Sequence, residues 1–116
     1  MEALTLIDLQ QISESISGKY SNLPLNIVNN HIIRMSVMSQ PYYWHYHPNS
    51  DESFLCLEGE LIIELKGQLI ELSPGQLYTI PTNVLHRTRP KGERSVNLSF
   101  ELEAMQTIKK EPDLRF

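Results

Sequence analysis

Apolar residues change their spacing once along the chain. Over residues 9–16, Leu9, Ile12 and Ile16 recur at three- and four-residue intervals, the stripe of a short helix, with Asp8 placed to cap it and Gly18 to stop it. A helix of that length is marginal alone, so the pattern predicts a lid or brace on something larger. Residues 19–30, with Pro24 and several asparagines, read as a loop. From residue 31 the period becomes two. Residues 31–38 (HIIRMSVM) are rich in β-formers, and 42–47 (YYWHYH) form an aromatic strand. Strands over 53–58 and 60–66 follow, the latter alternating Leu61, Ile63 and Leu65 against Ile62, Glu64 and Lys66. Lys66-Gly67 predicts a tight hairpin into 68–72, and Ser73-Pro74-Gly75 a turn. Two more short strands, 76–80 and 84–89, flank Pro81-Thr82-Asn83. The cleanest alternation covers 95–103, with Val96, Leu98, Phe100 and Leu102 on one face and Asn97, Ser99, Glu101 and Glu103 on the other. Many short strands punctuated by turns predict an all-β sandwich or barrel. The chain divides into a helix and loop packing on the barrel (1–30), the barrel (31–103) and a charged tail that frays or covers a sheet edge (104–116).

Composition narrows the partners. The 116 residues leave room for one core, not two. A hydrophobic fraction of 41% with 21% charged residues is that of a globular domain rather than a disordered tail. A net charge of −4 offers no basic stripe for phosphates, which argues against nucleic acid as a partner. Cys56 is the one cysteine, so no intrachain disulfide forms. Acidic residues near Met1 replace the basic region of a leader, and no apolar run approaches the roughly 18 residues that span a bilayer. The expectation is a cytoplasmic protein without a membrane partner.

Three of the four histidines are candidates for chemistry. His45 and His47 sit at i and i+2 on a predicted strand, so both rings leave one face. Glu52 follows a Pro48-Asn49-Ser50 turn, where a returning strand brings its carboxylate alongside the imidazoles. His86 lies 34 residues beyond Glu52 on a separate strand. Any one of these alone reads as a hydrogen-bonded barrel histidine or a solvated acid. Together on an inward face they need partners, and one divalent metal ion satisfies all four. His31 stands apart and reads as structural or exposed.

The same residues carry a family resemblance. The cupins share two motifs, G-x5-H-x-H-x3,4-E-x6-G and G-x5-P-x-G-x2-H-x3-N. The first is matched by His45-x-His47-x4-Glu52-x6-Gly59 and the second by Gly75-x5-Pro81-x-Asn83-x2-His86. Ser39, Asn83 and Pro90 depart from the pattern at a glycine, a glycine and an asparagine, none of them a ligand position. Asparagine tolerates a left-handed backbone, so the turn at Asn83 can still form. The resemblance spans residues 31–103 and implies a jelly-roll barrel (a double-stranded β-helix) with a metal held by His45, His47, Glu52 and His86. It also implies a homodimer. Trp44 and Tyr46, pointing away from the histidines, fit either a dimer interface or packing beneath the N-terminal helix.

Zinc would close such a site tetrahedrally, whereas iron(II), manganese or nickel would keep positions open for a bidentate oxygen ligand or for dioxygen. The expected function is a small metal-dependent enzyme, a dioxygenase or an isomerase, acting on a compact polar organic molecule. The alternative is a barrel that binds a sugar or organic acid without turning it over. Tyr43, in phase with His45 and His47, Cys56 and Phe54, in phase with Glu52, and Thr88, in phase with His86, are the candidates to line the pocket. Arg87 and Arg89 fall on the opposite face and read as surface charges. No acid–base group beyond the four ligands stands out.

Overall fold

The computed structural model describes residues 1–113; the last part of the expected tail, 114–116, lies outside the described residues. One helix precedes ten strands. The helix, α1, spans Leu9–Glu14, and Asp8 caps it by accepting from the Gln11 amide. Ser15 ends it rather than Gly18: the Ser15 amide already donates back to the Ile12 carbonyl and the Ile16 amide to the Ser13 carbonyl. The strands are β1 (Tyr20–Val28), β2 (His31–Met38), β3 (His45–Tyr46), β4 (Glu52–Glu58), β5 (Leu61–Leu65), β6 (Gln68–Leu72), β7 (Leu77–Ile80), β8 (His86–Pro90), β9 (Ser95–Leu102) and β10 (Ile108–Lys109). They form two five-stranded antiparallel sheets in the orders β1-β2-β9-β4-β7 and β10-β3-β8-β5-β6. Consecutive strands repeatedly alternate between sheets, which is the double-stranded β-helix. No helix among the described residues is long and apolar enough to cross a membrane.

Two sequence expectations need correction. Residues 20–28 are a strand, not a loop: β1 pairs along its length with β2, and Pro24 is tolerated because β1 is a sheet edge and the register shifts there. The aromatic strand shrinks to His45–Tyr46, with Pro41 and Pro48 bracketing the segment. Of the two alternatives expected for the tail, its described part takes the second and covers a sheet edge, where β10 pairs with β3 and the Lys110 amide donates to the Trp44 carbonyl.

Core burial falls on both faces of the first sheet. Met35, Val37, Val96 and Leu98 on its outer face are covered by Ile7, Leu9, Ile12 and Ile16, so the helix braces the sheet as its stripe predicts. Trp44 is not among the residues packed there; it directly precedes β3 of the other sheet, with the Arg87 guanidinium 5.3 Å from its ring. With the apolar face of β9 turned to the helix, its polar face turns inward. Asn97, Ser99 and Glu101 are all buried. Between the sheets, Met38, Phe54, Cys56, Leu61, Ile63, Leu72 and Ile80 form an apolar floor, and the polar residues occupy the other end of the interior. Arg87 and Arg89 lie on the outer face and both donate to Glu64 of β5.

Candidate metal centre

Backbone pairing brings the histidines together. His45 and His86 are direct cross-strand neighbours on β3 and β8, so their side chains share a face at close range. His47 follows two residues after His45, and Glu52 opens β4 in the opposite sheet. The Pro81–Asn83 bend sets up His86: Asn83 adopts φ 66°, the left-handed conformation expected of it, and its amide donates to the His47 carbonyl. All four side chains are buried, with His86 at 0% exposure. One ligand atom from each lies within 4.8 Å of the others, a spread that a single ion can bridge.

Each ring is oriented by its second nitrogen. His45 Nδ1 meets the Tyr43 carbonyl at 2.6 Å, His47 Nδ1 the Gln106 carbonyl at 2.9 Å, and His86 Nδ1 the Val84 carbonyl at 2.8 Å. A carbonyl only accepts, so each Nδ1 carries the hydrogen and each neutral ring keeps its lone pair on Nε2. Three lone pairs and a carboxylate then converge. His47 Nε2 is 3.1 Å and His86 Nε2 3.5 Å from Glu52 Oε1, and His86 Nε2 has no hydrogen-bond partner. Something positive has to stand among these atoms, either a proton or a metal cation.

In the metal-free cluster the surroundings act differently on the His45, His47 and Glu52 side chains. Burial, aided by the charge on its histidine neighbours, pushes His45 down to about 4. Burial opposes charge on His47 as well, but its hydrogen bond to Glu52 and that carboxylate's charge outweigh it and raise the ring. Burial would raise Glu52, yet the His47 and His86 contacts hold it down at about 2. The cluster thus pairs an ionised carboxylate with a His47 ring whose protonation that carboxylate favours, and a divalent ion would supply the positive charge instead. Neutral nitrogen ligands with one oxygen suit the borderline transition metals. The residues present fit the group.

His45, His47 and Glu52 line a cavity of about 290 Å³, near the small end of ligand sites, while His86 is fully buried beside them. Thr88 and Phe54 line it as expected. Tyr43 does not, being 59% exposed with Lys109 Nζ 3.9 Å from its ring centre. Residues 41–44 leave the regular ladder, so the alternation counted back from His45 is out of phase and Tyr42 faces the cavity instead. Cys56 has the right parity and the wrong depth. It sits in the apolar floor, where burial pushes its thiol up and the Glu58 and Gly59 carbonyls take its weak hydrogen bonds. His31 is exposed.

Sequence reasoning missed the opposite wall. Arg34, Ser99 and Glu101 face the cavity from β2 and β9. Burial, reinforced by the charge of Glu52, pushes Glu101 up to about 7. The available signal was the alternation of β9 itself: a helix stripe in need of an apolar surface claims Val96 and Leu98, which leaves the polar face for the interior.

Comparison with known proteins agrees with this arrangement. A family model described as a cupin domain matches residues 36–100. The chain is 37% identical over 102 residues to the uncharacterized protein YdbB of Bacillus subtilis, covering 87% of this chain and 89% of that one. Over 45 residues it is 42% identical to the quercetin 2,3-dioxygenase of the same organism, covering 39% of this chain and 13% of the dioxygenase. Among solved structures, a cupin-2 domain protein from Shewanella frigidimarina superposes with a TM-score of 0.79 at 24% identity, covering 84% of this chain and 95% of that one.

Proposed function

Since the chain belongs to the cupin family, we propose that it is a metal-dependent enzyme, an oxygenase or an isomerase, acting on a compact polar organic molecule held in the barrel. The observation that carries this reading is the convergence of three histidine nitrogens and one carboxylate oxygen, with His45, His47 and Glu52 lining a small, largely polar cavity. His45, His47, Glu52 and His86 would hold the ion, and the carbonyls of Tyr43, Gln106 and Val84 would keep the three rings in the required tautomer. When bound, the metal supplies Lewis acidity toward substrate oxygens and, if it takes six ligands, two positions beyond the protein's four. The protein contributes shape and dryness. Phe54 and the apolar floor close the cavity below, and Thr88 and Tyr42 narrow its sides. Local similarity to a protein named as a dioxygenase favours the oxygenase arm. A cytoplasmic homodimer belongs to the same proposal, and light scattering of the purified chain tests the dimer.

Elemental analysis of untagged protein should find about one transition metal per chain, and His47→Ala should lose most of it, in line with the strong dependence of such sites on each ligand and its support. Equal metal content in the two would remove the assignment. Oxygen uptake and product analysis with a panel of diols and keto acids then separate an enzyme from a barrel that only captures its ligand. Saturable binding without turnover would assign the second role.

A further inference from the structure

The cavity wall that faces the imidazoles holds one buried polar atom that the fold leaves without a purpose. Glu101 is 2% exposed, and its Oε2 has no hydrogen-bond partner. Its other oxygen is lightly held. Ser99 Oγ donates to Oε1 at 3.4 Å, and Arg34 Nε lies 3.5 Å from the same atom, both beyond the usual hydrogen-bond distances. Desolvating a carboxylate and leaving half of it unpaired destabilises a fold. An aliphatic side chain, such as that of Ile32 directly across the ladder, would fill the position without that penalty. Orphaned buried groups of this kind call for a ligand that completes them.

Placement points the same way. Glu101, Ser99 and Arg34 line the cavity together with His45 and His47, so a molecule that fills the space meets both walls. Arg34 stands nearer the mouth, its side chain 33% exposed. Its Nη1 reaches Asn22 Oδ1 only at 3.4 Å, so the guanidinium keeps donors and charge for an anionic group.

We propose that Glu101, supported by Arg34 and Ser99, is a ligand-recognition subsite separate from the metal-ligand set, in which Glu101 Oε2 accepts a hydrogen bond from a hydroxyl group of a small hydroxy acid. The inference rests on the reading that the acid's other oxygens meet a metal ion at the histidine cluster. Specificity follows from the same physics. A ligand without the hydroxyl buries the Oε2 lone pairs with nothing to satisfy them, which is how a polar pocket rejects a deoxy analogue far more strongly than an apolar pocket rejects a missing methylene.

The test uses the full-length, nickel-loaded protein and two acids that differ by one hydroxyl, glycerate and lactate, with affinities read by calorimetry. Glycerate should bind at least roughly tenfold tighter to the wild type. Glu101→Leu should abolish that preference, and Glu101→Gln, which keeps an accepting oxygen, should retain part of it. Nickel content should be equal in all three proteins. Both variants should melt at or above the wild type, by about 4 °C where the orphaned charge is fully relieved; a glutamate kept for packing would instead give lower melting temperatures. Equal affinities for the two acids, no binding of either to the nickel-loaded wild type, a preference that survives Glu101→Leu, or lowered melting temperatures in both variants would overturn the subsite and leave the metal reading standing. A wild type that retains no nickel would overturn the metal reading and the subsite with it.

Discussion

Glu52 and Glu101 extend the Phe54–Ser99 cross-strand pairing by two residues on the inner faces of β4 and β9, and the barrel treats these two identical side chains in opposite ways. Both are penalised by burial. Glu52 is compensated by two imidazoles and stays ionised, while burial and the charge of Glu52 beside it outweigh what Glu101 gains from a long Ser99 hydrogen bond and the Arg34 guanidinium, and it is raised. Environments that drive like groups apart in this way are a mark of sites built for a task rather than for stability. The consequence for stability has a definite sign. A carboxyl whose folded pKa of about 7 lies above its unfolded value of 4.5 contributes its full stabilisation below pH 4.5 and loses it as pH rises through 7. In chelated protein, the stability of the wild type relative to Glu101→Gln should therefore fall by on the order of 3 kcal/mol between those limits. Urea unfolding at a series of pH values measures this, and a pH-independent difference would refute the environment described for Glu101.

At the scale of elements, the metal centre depends on a segment far from its motifs. His47 Nδ1 is held by the Gln106 carbonyl, with Thr107 Oγ1 at 3.2 Å, and β10 fixes that stretch by pairing with β3. Asn49 ties the same strap at two points, its side chain bonding the Ala104 carbonyl and the Gln106 amide. A chain ending at Glu103 should still form the barrel but bind metal roughly 10- to 100-fold more weakly, the usual effect of removing support behind a ligand. Competition with a metal-binding dye reads that loss, and an unchanged affinity would show the strap to be incidental. What was legible in the sequence follows the same division. The strands and the four clustered side chains could be read because a period of two and fixed motif spacings are local properties of the chain. Gly59 was legible too, and the structure gives its reason: φ is +71° and a Cβ there would stand 2.2 Å from the Arg94 carbonyl oxygen. Tyr43 and Cys56 were misplaced because parity tells only which face a residue takes. An irregular stretch before His45 shifts that parity, and depth along the barrel separates the metal wall from the apolar floor. Glu101 and the strap were invisible for a different reason, since each acquires its role only through pairing between strands distant in sequence.

On the scale of the whole molecule, the interior carries opposite demands at its two ends. The floor from Cys56 to Ile80 is apolar and contributes stability in proportion to what it buries. The other end holds His45, His47, Glu52, His86, Ser99 and Glu101, all buried, and leaves His86 Nε2 and Glu101 Oε2 without a hydrogen-bond partner. Much of the fold's stability should then be linked to occupancy. An ion present at about 100 times its dissociation constant adds roughly 2.7 kcal/mol, because it binds the assembled cluster and not the unfolded chain. At 116 residues, a loss of that size lowers the melting temperature by about 10 °C. Adding a chelator to metal-loaded protein and following unfolding by circular dichroism checks this directly, and His47→Ala serves as the control, since a chain that holds no ion should not respond to chelation. A drop of the same size in that variant would place the stabilising ion somewhere other than the histidine cluster. No drop in the wild type would mean that the four side chains are satisfied without metal, by the imidazolium and carboxylate pairing alone.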